Sequence, residues 1–441
     1  MPRPVREILQ RLGRKDRPAF VVGGVVRDLL LGRKPGDWDV ATLARPEEVC
    51  EEFEKTVPTG IAHGTVTVIL GGLSVEVTTF RGEGKYSDGR HPDGVVFLDS
   101  LTEDLRRRDF TVNAIAIDVA KKTIIDPFGG QRDLKRRLIR AVGDARERFN
   151  EDGLRPLRAV RLASILGFKI EKETLAAIPA SLAIFRKVAP ERVREELLKI
   201  LGGPNPDRGV ELLRLSGLLA EIIPELLEGI GFFQNRFHRF DVYRHAIECL
   251  RHSRGDGVFR LAVLLHDIGK PRTAAGPERE RTFYQHERVS AEMAGAILSR
   301  LRFSNEDRRR VVTLIQNHMV HYDPGWSDGA VRRLVRRIGL DLLDDAFRMQ
   351  QSDVLGRGKF VESGLSNLRR LRARIRKVLK QDAVLKVTDL AIDGRKVMEI
   401  LKIQPGPVVG KVLDALLEHV LDHPEDNTPE NLSRLVPIYR V

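Results

Sequence analysis

The hydrophobic periodicity of the chain changes once, near residue 141, and this change limits the folds that are possible. Between residues 20 and 140, polar turns separate short runs rich in β-branched residues, namely AFVVGG, DWDVAT, GTVTVIL, LSVEVTTF, VVFL and AIAIDV. Such runs are typical of strands. After residue 141, Leu, Ile and Val recur at intervals of three and four residues, which is the spacing of amphipathic helices. The pattern predicts an α+β protein with a small mixed β-sheet head followed by a long helical body.

The composition is that of a folded, basic protein. The 441 residues are 42% hydrophobic and 31% charged, with a formal net charge of +13, so we expect roughly two to four domains and binding to a polyanion. No apolar run approaches the about 18 residues of a membrane span, and no apolar signal core is present at the N-terminus, which indicates a cytoplasmic protein. The two cysteines, Cys50 and Cys249, exclude a disulfide framework and a zinc site built mainly from thiolates. The basic run RRLRARIRKVLK (369–380) predicts a solvated helix face or a phosphate-binding surface.

A glycine pair follows the first predicted strand. In FVVGGVVRDLLLG the strand runs into Gly23 and Gly24, after which helical spacing begins. Such a junction exposes backbone N–H groups and a helix N-terminus that can bind phosphate, although glycine pairs are often plain turns. Arg27 and Asp28 follow, and the arginine can pair with phosphate or with another carboxylate.

Two aspartates with strand spacing, Asp37 and Asp39, come next in GDWDVAT. Residues i and i+2 of a strand point to one face, and adjacent carboxylates repel each other unless a cation lies between them. Oxygen ligands of this kind suit Mg²⁺. An ordinary exposed turn is the alternative, but the upstream glycine turn favours the metal anchor of a two-metal phosphoryl or nucleotidyl transfer site. Glu76, in the alternating segment LSVEVTTF, is either a third metal carboxylate or a plain strand acid.

Several long motifs resemble, in the same order, those of class II template-independent nucleotidyltransferases, the family of tRNA CCA-adding enzymes and bacterial poly(A) polymerases. The motifs are VVGGVVRDLLLGRKPGDWDVA, a flexible-loop segment that leads into RRDFTVNA, DPFGGQRDLKRRLIR, and EDGLRPLRAVRLA. The resemblance is close over about residues 20–200 and looser in the helical body. It implies a polymerase-β-like head, Mg²⁺ as cofactor, and tRNA, ATP and CTP as partners, with no membrane and no required protein partner.

The resemblance also indicates which residues bind the nucleotide. Beside the catalytic carboxylates Asp37, Asp39 and Glu76, they are Gly23, Gly24, Arg27, Asp28, Arg107, Arg108, Asp109, Asn113, Asp152, Arg155, Arg158 and Arg161.

The last four of these residues are spaced by three, which predicts one slowly drifting stripe on a helix, either exposed to solvent or facing a base. An acceptor such as Asp152 and a donor such as Arg155 would match the amino group and ring nitrogen of cytosine and adenine. Uracil and guanine present a carbonyl and a ring N–H instead, so they would leave both side chains unpaired.

The branch of the family is less sharply indicated than the family itself. PTGIAHGTVTVIL resembles the pattern of CCA-adding enzymes, and no basic-aromatic stretch of the poly(A) polymerase type follows the aspartates. The flexible-loop segment GEGKYSDGRHPDGVVF is full-length, whereas enzymes restricted to CC addition tend to have a shorter one. CCA addition is therefore favoured, an A-adding enzyme that works beside a CC-adding partner remains open, and a poly(A) polymerase is less favoured.

The helical body carries a second set of candidate metal ligands. A lone histidine in an apolar helix is usually a core residue, but RLAVLLHDIGKPRT has an adjacent His-Asp pair, with histidines on flanking segments and a late aspartate. The set is His245, His266, Asp267, His286, His318 and Asp353. Imidazoles with carboxylates suit Mn, Ni, Co or Fe. The pattern resembles HD-domain phosphohydrolases, which implies cleavage of a phosphoester such as a 2′,3′-cyclic phosphate or a monoester; a purely structural domain is the alternative.

These observations predict four segments. They are a nucleotidyltransferase head (1–140), an all-α neck that selects the base (141–225), an HD phosphohydrolase-like body (226–360) and a helical, tRNA-binding tail (361–441). The competing interpretations are an HD phosphohydrolase whose N-terminal half only binds RNA, and a non-catalytic RNA-binding protein. The intact set of the head, namely the glycine pair with Asp37, Asp39, Arg108 and Asp109, argues against the first, and two full sets of candidate ligands in one chain argue against the second.

Overall fold

The computed structural model describes residues 1–14, 16–60, 64–83, 95–320, 322–380 and 385–440. The histidine of the HGT stretch and most of the flexible-loop segment (84–94) lie outside these ranges. Internal packing divides the chain into two compact units, Met1–Pro224 and Glu225–Val441.

The first unit contains a mixed sheet that, within the described residues, has seven strands in the order β3-β4-β5-β2-β1-β8-β9. All neighbouring strands are antiparallel except β2 and β5, which are parallel. The strands of this sheet are β1 (Ala19–Val22), β2 (Trp38–Thr42), β3 (Thr56–Gly60), β4 (Thr65–Leu70), β5 (Leu73–Thr79), β8 (Ala116–Asp118) and β9 (Thr123–Ile125). A separate antiparallel pair is formed by β6 (Arg81–Glu83) and β7 (Val95–Phe97).

Burial alternates along β5 and shows which side chains share a face of the sheet. In β5, Val75, Val77 and Thr79 are buried while Ser74 and Glu76 are exposed, because successive side chains of a strand point to opposite faces. The opposite face carries Asp39 and Glu76, and further along β2 it carries Ala41. Ala41 belongs to a core with Val22, Phe80, Leu105, Ala114, Ala116 and Val142, so the polar side chains of this face lie beside that core.

Helices of the first unit flank the sheet and then continue as a helical segment. They are α1 (Arg3–Gly13), α2 (Gly24–Leu30), α3 (Pro46–Glu52), α4 (Leu101–Arg106), α5 (Gly130–Arg136), α6 (Ala145–Glu151), α7 (Arg155–Leu166), α8 (Lys172–Ala177), α9 (Leu182–Phe185), α10 (Pro190–Gly202), α11 (Pro206–Leu215) and α12 (Leu218–Ile222). The helical segment is not purely α, since β10 (Leu138–Ile139) pairs in parallel with β11 (Lys169–Ile170). The expectation of an all-α neck is wrong at this point, because two-residue strands leave no periodic signal.

The second unit is built from helices in the residues that the structure describes there. They are α13 (Val242–His252), α14 (Gly257–Leu265), α15 (Lys270–Thr273), α16 (His286–Arg300), α17 (Asn305–Gln316), α18 (Asp328–Ile338), α19 (Leu343–Gly356), α20 (Val361–Leu379), α21 (Gly394–Leu401), α22 (Pro407–Asp422) and α23 (Pro429–Leu435). No described helix has the combination of length and apolarity that crossing a membrane requires. The predicted architecture, an α+β chain with a mixed-sheet head and a helical body, is confirmed.

Candidate active site

Three carboxylates meet on the polar face of the sheet. Asp37 directly precedes β2, Asp39 lies on β2, and Glu76 on β5 is the register partner of Asp39. The pKa of Asp39 is raised by burial and by the nearby charges of Glu76 and Asp37, while Arg108 and Arg27 oppose this shift. A carboxyl group that shares its surroundings with two others favours a bound cation. These residues can therefore hold a divalent metal ion, as hard oxygen ligands do.

The glycine turn passes between this carboxylate group and a buried arginine. Gly23 has φ of 78°, and a Cβ added there would lie 2.8 Å from Arg108 Nη1 and 3.2 Å from Asp39 Oδ2. Arg108 Nε is buried and makes no hydrogen bond to the residues that the structure describes. Burial lowers the pKa of Arg108, although Asp104 and Asp39 act against it. A guanidinium with an unused donor beside metal-type carboxylates is suited to bind a phosphate.

A chain of charged hydrogen bonds runs from α2 to α7. Arg27 donates from Nε to Asp28 Oδ1 over 2.9 Å and from Nη1 to Asn113 Oδ1 over 2.8 Å. Asn113 in turn donates to Asp109 Oδ1 over 3.0 Å, and Arg158 Nε donates to Asp109 Oδ2 over 2.8 Å. Burial would raise the pKa of Asp109, but Arg158 and Asn113 outweigh it and lower that pKa to about 2. These bonds connect α2 of the head to α7 of the neck.

Arg107 and Arg108 share an anchor that the sequence interpretation missed. Asp104 on α4 is fully buried and accepts hydrogen bonds from Arg107 Nη2 over 2.8 Å and from Arg108 Nη2 over 3.4 Å. Asp104 lies on α4, which begins at Leu101, and the two arginines follow Asp104 by three and four residues. This helical spacing could have predicted both contacts from the sequence. Asp104 fixes the direction of both cations.

The predicted base-selecting residues do not form one helical stripe. Asp152 has extended backbone angles between α6 and α7, and its Oδ1 accepts from the Leu154 N–H over 3.0 Å while Oδ2 lies 3.2 Å from Arg192 Nη2. The stripe therefore begins only at Arg155, the first residue of α7. The expectation that Asp152 shares this helix is wrong, because the chain turns at 152–154.

Three arginines of α7 are already paired with protein groups. Arg155 is 6% exposed and donates to Glu151 and to the Arg107 carbonyl. Arg158 pairs with Asp109, and Arg161 donates to Glu196. Arg155 could therefore meet a base only by exchanging some of its contacts with Glu151 and with the carbonyls of Arg148 and Arg107.

In the second unit, six predicted ligands form one buried group, here called the His–Asp cluster. They come from α13, the ends of α14 and α17, the start of α16, and α19. The six are His245, His266, Asp267, His286, His318 and Asp353, with exposed fractions between 0% and 6%. Their side chains are therefore almost completely shielded from bulk solvent.

The aspartates bridge the imidazoles of the cluster. Asp267 Oδ1 lies 3.3 Å from His286 Nε2 and 3.5 Å from His318 Nε2, while its Oδ2 lies 3.2 Å from His266 Nε2. Asp353 Oδ1 lies 3.2 Å from His245 Nε2. The imidazole nitrogens and carboxylate oxygens thus converge on a small volume.

Backbone contacts orient three of these imidazoles in the same way. Nδ1 of His266, His286 and His318 lies 2.8, 2.7 and 2.7 Å from the carbonyl oxygen of the residue three positions earlier. A carbonyl can only accept, so Nδ1 carries a hydrogen in each of the three, and Nε2 is the nitrogen that faces the cluster. In metal sites the ring nitrogen that does not bind the metal usually donates such a hydrogen bond, which fixes the orientation of the imidazole.

The charge of the cluster also favours a cation. Burial disfavours the charged imidazole, but Asp267 and Asp353 overcome it and raise the pKa of His266 to about 10. His266 Nε2 and Asp267 Oδ1 are buried, and although each lies within 3.5 Å of a polar neighbour, neither makes a well-aligned hydrogen bond to the described residues. A divalent ion bound between these two atoms would satisfy both of them, so the residues of the cluster fit a metal.

Two cations and a thiol adjoin the cluster and were missed from the sequence. Lys270 Nζ donates to Asp267 Oδ2 over 2.6 Å, and Arg357 forms a short ion pair with Asp353. Cys249 Sγ lies 3.5 Å from His245 Nε2. Each lies three or four residues from a predicted ligand, a helical spacing that could have identified them.

Comparison with known proteins places the chain in a family. The family described as Poly A polymerase head domain matches residues 19–140, "Probable RNA and SrmB- binding site of polymerase A" matches residues 167–229, and tRNA nucleotidyltransferase domain 2 matches residues 282–436. Some curated CCA-adding enzymes reach 50% identity over 218 residues, which is 49% of this chain and 54% of the relative. Such alignments span about half the length of those relatives.

Other matches extend over nearly the whole chain. The CCA-adding enzyme of Geobacillus thermodenitrificans is 36% identical over 430 residues, which covers 96% of this chain and 94% of the relative. The A-adding tRNA nucleotidyltransferase of Deinococcus radiodurans is 36% identical and covers 91% of each chain. The crystal structure of Bacillus stearothermophilus CCA-adding enzyme in complex with CTP has a TM-score of 0.72 and 30% identity, covering 99% of this chain and 98% of that one. The chain therefore belongs to the family of class II CCA-adding enzymes and poly(A) polymerases.

Proposed function

We propose that the chain is a tRNA nucleotidyltransferase that adds CCA to the 3′ end of tRNA from CTP and ATP. The observation that carries this proposal is the convergence of Asp37, Asp39 and Glu76 beside Gly23 and Arg108. The names of the full-length relatives support the same substrates. Within the four segments, the head would catalyse the transfer, the neck would select the base and the tail would bind tRNA.

In this proposal different residues of the head bind the metal, bind the triphosphate and position the arginines. Asp37 and Asp39, with Glu76, would hold Mg²⁺, which supplies Lewis-acid stabilisation of the transferring phosphate. Arg108 and the backbone at Gly23 would bind the triphosphate. The 3′ oxygen of the tRNA would attack the α-phosphorus, and pyrophosphate would leave. Asp104 acts by holding Arg107 and Arg108 in place.

Base choice would come from the edge formed by Asp152 and Arg155. Arg155 donates to Glu151 and to the carbonyls of Arg148 and Arg107, so some of these contacts would open when it meets a base. Because Asp152 Oδ1 already accepts from a backbone N–H, Oδ2 would accept from an exocyclic amine, in exchange for or beside its contact with Arg192. This oxygen accepts and never donates, which excludes the carbonyl edges of uracil and guanine.

We expect Asp152→Asn to relax base choice more than it weakens triphosphate binding. An amide can donate to the carbonyl of uracil or guanine, so incorporation of U or G relative to C or A should rise about tenfold or more. Single-nucleotide extension of a tRNA ending in CC, with each triphosphate in turn, measures this ratio. Glu211→Gln, on α11 and paired with Arg214, is the matched control and should keep the wild-type ratio. Equal loss of all four nucleotides would show that Asp152 is only structural.

The experiment that tests the proposed function is extension of tRNA transcripts ending in the discriminator base, in C, or in CC, with each triphosphate separately. CCA addition predicts extension of all three. The alternative, an A-adding enzyme that depends on a separate CC-adding enzyme, has a full-length relative in Deinococcus radiodurans and predicts extension only of the transcript ending in CC. No extension of any transcript would overturn the proposal.

We infer a second activity for the His–Asp cluster, namely metal-dependent hydrolysis of a phosphoester. The observation that favours it is the convergence of four imidazoles and two carboxylates with unsatisfied buried atoms. A bound divalent transition metal would activate water. Lys270 and Arg357 hold Asp267 and Asp353 in place and lie where they can balance the charge of a phosphate.

We expect metal binding to this cluster to release protons and to strengthen as pH rises. With its pKa raised to about 10, His266 is protonated at neutral pH and must lose this proton before its Nε2 can bind a metal. Calorimetry with Co²⁺ in buffers of different ionisation enthalpy, from about pH 6 to about pH 8, counts the released protons. His252→Ala, at the exposed end of α13, is the control. Affinity that does not change with pH would contradict the assignment.

The tail offers a surface for the tRNA backbone. On α20, Leu371, Ile375 and Val378 are buried, while cations on the other faces are exposed. The exposed cations include Arg369, Arg370, Arg376, Lys377 and Lys380. Phosphate contacts by such residues make affinity fall steeply with salt.

A further inference from the structure

The His–Asp cluster contains a thiol that the sequence pattern of ligands does not include. Cys249 lies one helical turn after His245 on α13 and is completely buried. Its Sγ lies 3.6 Å from His245 Nδ1 and 3.5 Å from His245 Nε2. One ligand atom from each of His245, Cys249, His266 and Asp353 lies within 4.8 Å of the others. Four donors at such separations can surround one ion.

A second observation points to a ligand at the same place. His266 is 1% exposed, its Nδ1 is tied to the Val263 carbonyl, and its Nε2 lies 3.2 Å from Asp267 Oδ2 without forming a well-aligned hydrogen bond to any described residue. A buried imidazole nitrogen in such a position has lost its contact with water and is only partly compensated. A metal ion among the four donors would satisfy this nitrogen.

The packing of α13 against α19 places the sulfur next to Asp353. A Cβ added at Gly356 would lie 2.3 Å from Cys249 Sγ and 2.8 Å from the Cys249 backbone nitrogen. Only a residue without a side chain fits at position 356 while the thiol keeps its place. Arg357 follows directly, and its ion pair with Asp353 puts a positive charge on this side of the cluster. Such a charge offsets part of the negative charge that a thiolate would add.

We propose that Cys249 is a thiolate ligand, so that the cluster has a sulfur-containing metal site formed by His245, Cys249, His266 and Asp353. On binding, the thiol releases its proton to solvent and a metal–sulfur bond forms, without oxidation or reduction. A thiolate favours softer ions such as Zn²⁺, Co²⁺ or Fe²⁺ over Mg²⁺ and Mn²⁺. The inference rests on the metal-binding role proposed above for the cluster, but not on hydrolysis.

The second group of donors would stay free of sulfur. His266, Asp267 and His318 also lie within 4.8 Å of one another, with one ligand atom from each. His286 adjoins this group, 3.3 Å from Asp267 Oδ1. The cluster therefore offers one softer and one harder position, and these are alternatives for His266, because its single Nε2 can bind only one ion. The competing interpretation is that Cys249 is only a small apolar residue packed beside His245, as buried free cysteines often are.

Cobalt spectroscopy of the full chain distinguishes these interpretations. The metal-stripped protein is titrated with Co²⁺, whose visible d–d bands report binding by any ligand and whose near-ultraviolet charge-transfer absorption reports a bound thiolate. We expect both signals in the wild type. Cys249→Ser should abolish the charge-transfer absorption and weaken Zn²⁺ binding about tenfold or more. Cys50→Ser, which removes the half-buried cysteine of α3 in the first unit, should change neither signal.

X-ray absorption of the Zn²⁺-loaded wild type gives a test that requires no variant. One sulfur scatterer at about 2.3 Å is expected. Visible d–d bands without charge transfer, or zinc with only nitrogen and oxygen neighbours, would overturn the thiolate proposal and leave the metal role of the cluster intact. Absence of any Co²⁺ signal would overturn both proposals.

Discussion

We expect Asp39→Asn to lower the rate of nucleotide addition by about a thousandfold or more while tRNA affinity changes little. A metal ion that polarises a phosphoryl oxygen contributes several kcal/mol to transition-state stabilisation, and about 1.4 kcal/mol corresponds to a tenfold change in rate. Asparagine keeps the size of the side chain but removes the charge that would hold the metal. Single-turnover extension of a tRNA ending in CC with ATP and Mg²⁺ measures the rate, and filter binding measures the affinity.

Two comparisons show whether the loss belongs to the metal site. Asp37→Asn should have an effect of similar size, because Asp37 raises the pKa of Asp39 and so lies close to it. Glu103→Gln, which removes an exposed carboxylate of α4, should leave the rate unchanged. Addition near the wild-type rate by Asp39→Asn would contradict the two-metal mechanism.

Local sequence patterns indicated the carboxylates of the head but not the way in which they meet. Strand spacing suggested Asp37 and Asp39, and alternation singled out Glu76. The contact between Asp39 and Glu76 depends on β5 pairing in parallel with β2, although β4 is its neighbour in sequence. Such long-range pairing is set by packing of the whole sheet, so no window of the sequence contains it.

In the neck, the prediction from residue spacing failed because the helix that it assumed is interrupted. Residues three apart share a face only within one helix, and the chain has extended angles at Asp152. Pro156 lies in the first turn of α7, where proline is favoured, so a helix boundary near Asp152 was readable. Glu151 and Arg155 pair across this boundary, so their spacing of four residues is not that of one helix, and their contact depends on the turn at 152–154. Burial of Arg155, in contrast, depends on carbonyls that the fold brings from elsewhere, including that of Arg107.

The His–Asp cluster was readable as a set of residue types, whereas its geometry was not. Adjacent His266 and Asp267 at the end of an apolar helix gave the signal, but five separate helices and their ends had to converge before the group could bind a metal. Cys249 lies four residues after His245, so it was predictable as a neighbour on the same helical face. The count of two cysteines excluded only a disulfide framework and a zinc site built mainly from thiolates, so it left a site with a single thiolate possible.

The largest expected effect in the second unit is that of a double variant, His266→Ala with Asp267→Ala. We expect it to abolish binding of Co²⁺ or Zn²⁺ and any metal-dependent phosphoester hydrolysis, because it removes ligands from both groups of donors at once. The measurements are metal content after dialysis and hydrolysis of bis-p-nitrophenyl phosphate in the presence of Ni²⁺ or Co²⁺.

Nucleotide addition with Mg²⁺ should persist in this double variant, because the proposed catalytic residues lie in the other compact unit. The pair also carries structural contacts, since Asp267 accepts from buried Lys270. Circular dichroism must therefore show that the variant is folded, and His252→Ala, on the surface of α13, serves as the matched histidine control. Loss of nucleotide addition in a folded variant would mean that the cluster supports the transferase. If the wild type shows no hydrolysis with any metal tested, the cluster has only a structural role. A metal that is bound without activating water would then serve only to connect the helices.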